Sequence, residues 1–170
     1  MIKALFSGET ISSTSEEAFT LFEKSRFGEK KQNKIVYTLV ETLYLVERKK
    51  MEVYSGNKIL EFELLLKKLK KLDKTVELKL NVFNDLRDKG YIVKTALKFG
   101  AELRVYDKGA SIGEEHARWI LYPVHEFSVL KWQEFSAKNR VAHSTKKNLL
   151  IAVVDEEKDI TYYEISWIRP

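Results

Sequence analysis

Two side chains able to move protons flank one polar loop. In LRVYDKGASIGEEHARWIL, residues 103–121, Tyr106 closes one strand-like apolar run and His116 opens the next. A phenol and an imidazole placed in this way can face a shared site and exchange protons with a bound molecule. The same positions also suit strand-edge residues satisfied by local packing. Neither residue decides between these readings alone, and with 30 lysines and arginines in the chain no single lysine is informative. Only joint placement carries weight.

Other chemistries find less support. The chain has no cysteine, which removes disulfides, thiolate nucleophiles and the usual zinc knuckles and leaves three histidines as the soft ligands. Its seven glycines are scattered and form no phosphate-cradling loop. No G-x-S-x-G elbow is present, and the serines stand mainly at helix caps. Asp155, Glu156, Glu157 and Asp159 cluster between two strands, and ELK at 77–79 resembles half of a metal-dependent nuclease motif. That half lacks an upstream strand aspartate, and an acidic hairpin tip is ordinarily a solvated turn. No metal site is expected.

The elements that would position these residues follow from periodicity. A chain of 170 residues, 44% apolar and 32% charged, can bury a real core. Its longest apolar runs, such as LLIAVV at 149–154, are far shorter than the roughly 20 residues of a membrane helix. MIKALFSGETISS turns polar too soon for a secretory segment, so a cytoplasmic location is expected. The net charge of +5 and pI near 9.2 suit a polyanionic partner or plain solubility.

Ser13 and Thr14, followed by Glu16 and Glu17 at capping-box spacing, predict a helix over 15–25 with Gly28 as a later stop. Ile35, Val36, Leu39, Val40, Leu43 and Tyr44 share one helical face. MEVYSGNKI reads as a strand with a turn, and a helix follows with Leu65, Leu69 and Leu72 inward. Pattern shifts near 73–79 separate an N-terminal helical and β domain, 1–76, from a C-terminal domain, 77–170.

The second domain opens with a helix stopped by Gly90, where a left-handed residue is wanted. YIVKT, ELRVYD, RWILYPV, NLLIAVVDE and DITYYEISWI are strands, and SVLKWQEFSAKNRVAHS is a helix between the third and fourth. The expected class is α+β: two small domains, the second a mixed sheet with flanking helices.

LVETLYLVERKKMEV, DLRDKGYIVKTALKFGAELRVYDKG, His116 within HARWILYPV, and RVAHSTKKNLLIAVVDEEKDITYYEI, in that order, resemble the archaeal-type tRNA-splicing endonucleases. The most distinctive part is the GYxVKTxxKFGAxxRVY core. The resemblance implies a nuclease-like C-terminal domain with an active site of Tyr106, His116 and Lys147. Lys146 has nearly the same spacing, but the family places a basic residue before its active lysine, which favours Lys147. His125 and His143 fall outside the motif and read as structural or surface histidines.

The implied chemistry is metal-free cleavage of RNA, in which the substrate's own 2′-hydroxyl is the nucleophile. By resemblance Tyr106 is the general base, His116 the general acid and Lys147 the stabilising cation, giving 2′,3′-cyclic phosphate and 5′-hydroxyl ends. No cofactor is implied. An imidazole, with a reference pKa near 6.5, suits the acid role, whereas a phenol needs a nearby cation to ionise. The implied substrate is precursor tRNA, recognised as a bulge-helix-bulge. Arg140 stands at one position that grips a flipped base, and Trp167 stands at the other, where many members have arginine.

Two bulges need two active sites, so the resemblance implies self-association through the last strand. The expected assembly is a homotetramer, or a heterotetramer with a noncatalytic paralogous subunit, with DEEKD at 155–159 as a docking loop. The alternative is that this chain is itself the noncatalytic subunit, which the presence of all three chemical residues argues against. A third reading is a metal-dependent DNA nuclease.

Overall fold

The computed structural model describes residues 1–95, 103–110 and 116–170. The centre of the GYxVKTxxKFGAxxRVY pattern, 96–102, and part of the polar loop between Tyr106 and His116, 111–115, lie outside the described residues. The chain divides into two compact units, Met1–Leu80 and Asn81–Pro170. Each combines helices with a mixed sheet, so the fold is α+β.

The first unit holds β1 (Ile2–Ser7), β2 (Thr10–Ser13), α1 (Glu16–Ser25), β3 (Glu29–Lys31), β4 (Lys34–Tyr37), α2 (Leu39–Glu47), β5 (Met51–Ser55), β6 (Lys58–Ile59) and α3 (Phe62–Leu72). Its strands order as β3-β4-β2-β1-β5-β6, with β1 and β5 parallel and the other pairs antiparallel.

Four local expectations change here. The cap of α1 is Ser15, whose hydroxyl accepts from the Ala18 N–H, rather than Ser13 or Thr14. The run from Ile35 is not one helix. Ile35 and Tyr37 are buried at the two-residue period of β4, and α2 starts only after Thr38. Thr38 and Glu41 form the capping box that sets this start, and Glu41 also accepts from the buried Gly28 N–H at 2.9 Å. Gly28 is therefore less a helix stop than a close approach: at φ 77°, a Cβ there would lie 2.3 Å from Ile35 Cγ2. In α3, Leu65 and Leu69 are fully buried, but Leu72 at the helix end is 41% exposed.

The remaining elements are α4 (Val76–Asp88), β7 (Ile92–Thr95), β8 (Leu103–Tyr106), β9 (Trp119–His125), α5 (Trp132–Ser144), β10 (Asn148–Val154) and β11 (Ile160–Ile165). The division between the units falls inside α4. ELK at 77–79 is thus helical, not the strand end that a metal-nuclease motif needs. The second sheet orders as β11-β10-β9-β8-β7. Only β9 and β10 run parallel, and α5 provides the crossover between them that parallel pairing requires.

Strand alternation gives this sheet two buried faces. Ile120, Tyr122, Leu149 and Ile151 pack against Ala142 and Phe135 of α5. On the other face, the Tyr162 hydroxyl donates to Asp85 of α4 at 2.6 Å. Burial, then the bond to Asp85 and its charge, hold that phenol well above its ordinary range. Among the described residues no helix is long and apolar enough to cross a membrane.

Candidate active site

The register of the second sheet brings the chemistry to one of its ends. β8 leaves the sheet at Tyr106, just beyond the Val105–Trp119 pair, while β9 enters at Trp119. β10 enters at Asn148, paired with the same Trp119. β11 leaves just after Ile165, paired with Leu149. Tyr106, the approach to β9 that carries His116, and Lys147 before β10 therefore lie on neighbouring strands at a shared edge. Trp167 follows from the fourth strand.

Each residue is held differently. Tyr106 is 6% exposed and belongs to one buried cluster with Ala110, Ala117 and Ile92, and Ala117 is the residue after His116. Ile92 is also its cross-strand partner. His116 is exposed. The phenol is thus anchored in the sheet, and the imidazole is open to solvent.

The end of α5 separates Lys147 from Lys146. The Lys146 N–H donates to the His143 carbonyl and the Lys147 N–H to the Ala142 carbonyl, both at 2.9 Å, which is the Schellman pattern. Lys146 takes the left-handed position, at φ 57°, and is exposed. The same motif closes α4, with Gly90 in the left-handed position at φ 92°. Lys147 is the residue after it and is half-buried, its Nζ donating to the Thr145 carbonyl at 2.7 Å. Burial first, and then the positive charge of Arg104, hold the Lys147 ammonium below the ordinary lysine range.

Arg104 was not singled out from the sequence. It precedes Tyr106 by two residues, so both side chains lie on the same face of β8, and its Nε donates to the Thr95 carbonyl at 3.0 Å. The RVY pattern includes this arginine without giving it a task; the strand register places it.

Arg140 is exposed on α5. Trp167, 44% exposed, stands against His143 with ring centroids 4.3 Å apart. Arg140 and His143 are three apart on the helix and share a surface, so Trp167 reaches the part of α5 that bears Arg140. His143 is thus a surface residue with a defined partner. His125 lies at the far end of β9, stacked with Phe127 at 5.4 Å.

In the acidic hairpin the Asp155 carboxylate accepts from the Asp159 N–H at 2.8 Å, and Glu126 accepts from the Glu156 N–H at 3.0 Å. Those carboxylates are engaged in forming a turn. Among the described residues no group of three or more His, Cys, Asp or Glu could hold a metal ion.

Known families and proteins match this chain in sequence along nearly its whole length. The model of the tRNA intron endonuclease catalytic C-terminal domain matches residues 76–162, and that of the N-terminal domain of the same enzymes matches residues 2–66. A tRNA-splicing endonuclease of Pyrococcus abyssi is 41% identical over 170 residues, 99% of this chain and 98% of that protein. One from Thermococcus gammatolerans is 40% identical, covering 99% of both chains. One from Nanoarchaeum equitans is 43% identical over 138 residues, 78% of this chain and 88% of that protein. These matches define a two-domain RNA-processing endonuclease chain. It belongs to the tRNA intron endonuclease family.

Proposed function

We propose that this chain is the catalytic subunit of a splicing endonuclease that excises introns from precursor tRNA at bulge-helix-bulge sites, without a metal ion. The observation that carries this reading is the convergence of Tyr106, His116 and Lys147 on one sheet end in a chain of this family. Tyr106 removes the proton of the 2′-hydroxyl, whose oxygen attacks the adjacent phosphorus. The bond to the 5′-oxygen breaks, and His116 protonates that oxygen as it departs. Lys147 offsets the charge that grows on the phosphoryl oxygens. The products are a 2′,3′-cyclic phosphate and a 5′-hydroxyl. The nearby Arg104 adds positive charge at the same end.

Arg140 and Trp167 form the base-gripping pair, one guanidinium and one indole. Stacking between such groups and a flipped base contributes about 1–3 kcal/mol. Self-association through β11 is supported by what its side of the sheet exposes: Phe127 is 70%, Val129 89%, Trp132 82% and Tyr163 56% exposed. A groove of about 350 Å³ lined by Leu130, Trp132, Phe135, Ile151, Tyr163 and Ile165 adjoins them. β11 is also an edge strand. The assembly is a tetramer in the cytoplasm, of four copies or of two with two noncatalytic relatives, and the 155–159 hairpin docks between its dimers.

The test is incubation of the purified chain with a bulge-helix-bulge RNA in EDTA. The parent cuts, and His116→Ala loses about 10² to 10⁴ in single-turnover rate while still binding RNA. Cutting of DNA that requires magnesium would overturn the reading. A complex with its partner subunit that cuts at an unchanged rate when this chain carries His116→Ala would make this chain the noncatalytic alternative.

A further inference from the structure

We propose that Glu164 is a positioning residue: its carboxylate clamps the first residues of β9 and β10 together, and so holds His116 and Lys147 in register with Tyr106. This rests on the catalytic reading above.

Glu164 is in β11, and its two oxygens each take a donor from a different strand. Trp119 Nε1 donates to one at 2.6 Å, and Asn148 Nδ2 donates to the other at 2.8 Å. Trp119 and Asn148 are direct cross-strand partners, the first residues of β9 and β10. One is three residues beyond His116, and the other immediately follows Lys147.

Arg118 extends the clamp to the third strand. Its N–H donates to the Val105 carbonyl at 2.8 Å, and its own carbonyl accepts from the Asn148 N–H at 3.2 Å. Its guanidinium lies 3.3 Å from Asp107, the residue after Tyr106, 3.9 Å from Glu164, and over the Trp119 ring at 4.3 Å. Each candidate catalytic residue thus has a sequence neighbour tied to this group.

Trp119 and Asn148 alternate with Ile120 and Leu149, which face α5, so the clamp grips the sheet from the reverse side to Tyr106. Exposed ion pairs contribute little. The clamp depends instead on the two short bonds from Trp119 and Asn148. A carboxylate suits it because both oxygens accept; a glutamine has one accepting oxygen.

A displacement of about 1 Å in a catalytic group costs on the order of 10²-fold in rate. Glu164→Ala is therefore expected to lose about 10- to 100-fold in single-turnover cleavage, with RNA affinity by filter binding within about threefold of the parent. Glu164→Gln, which keeps one acceptor, recovers part of the loss. The decisive readout is coupling. In a His116→Ala background the additional loss from Glu164→Ala should shrink several-fold, because one of the two groups it positions is already gone.

Equal losses in both backgrounds, or a Glu164→Ala rate within about threefold of the parent, would overturn the proposal. If circular dichroism shows Glu164→Ala unfolded, Trp119→Phe, which keeps an aromatic ring and loses the Nε1 donor with part of the indole, carries the same expectations. A parent that does not cut the RNA, even with its partner, defeats the catalytic reading and this proposal with it. A parent that cuts while the variants show no coupling defeats this proposal alone.

Discussion

Lys147→Met keeps the length and stem of the side chain and removes its charge. Lys147 is half-buried at a sheet end, where an effective dielectric near 20 applies. A unit charge about 4 Å from a phosphoryl oxygen then contributes about 4 kcal/mol. At about 1.4 kcal/mol per tenfold this is on the order of 10³ in rate, and part of it is already realised in the bound ground state. The expected loss in single-turnover cleavage is about 10² to 10³, similar to removing one donor from an oxyanion hole.

Lys147→Arg keeps the charge but not the compact ammonium that reaches the Thr145 carbonyl, so its rate falls between the two. Lys146→Gly is the control. At φ 57° the glycine relieves a left-handed residue, so the protein is at least as stable and cuts within about threefold of the parent. A Lys147→Met rate within tenfold of the parent, or a Lys146→Gly loss as large as that of Lys147→Met, would refute the assignment of the cation.

Three further outcomes follow from the same geometry. Lys147 gives up its proton below the ordinary value of 10.5, because burial and then Arg104 disfavour the ammonium. Its charge is present at lower pH and lost as pH rises through that lowered value, so once His116→Ala has removed the imidazole's own alkaline fall, the residual rate falls on a limb below 10.5 that Lys147→Arg moves upward. Glu41→Ala removes a capping box and the carboxylate that the buried Gly28 N–H donates to at 2.9 Å. It should lower stability to urea by about 3 kcal/mol, and a loss under about 1 kcal/mol would contradict that role. Trp132→Asp together with Tyr163→Asp charges the exposed apolar side of β11, and native mass measurement should show smaller assemblies than the parent.

The sequence made the second sheet legible because its strands are β-branched and aromatic, and Gly90 marks the end of α4 by the conformation it adopts. The first unit was less legible. Ile35 and Val36 sit at helical spacing from Leu39 and Val40 only because a strand abuts a helix, and the Thr38–Glu41 cap that separates them was passed over. β1 and β2 also lacked a signal, since MIKALFSGET carries a strand alternation too short to stand out.

Tyr106, His116 and Lys147 were named by family resemblance, and their meeting at one edge is a property of register that spacing does not encode. Arg104, Arg118 and Glu164 stand inside the matching segments, but nothing in their type or spacing assigns them a task. Glu164 is 46 residues from Arg118 in sequence and beside it only after β11 pairs with β10.

The central claim is that the RNA supplies the nucleophile and this chain moves the protons. One measurement tests it most directly: cleavage in EDTA of a bulge-helix-bulge RNA with a single 2′-deoxy substitution at the nucleotide before the scissile phosphate, beside the all-ribose RNA. The account predicts that the all-ribose RNA is cut to 2′,3′-cyclic phosphate and 5′-hydroxyl ends, and that the deoxy RNA is bound but left uncut at the substituted site. Cleavage of the deoxy RNA at that phosphate, or a 5′-phosphate on the products, would contradict it.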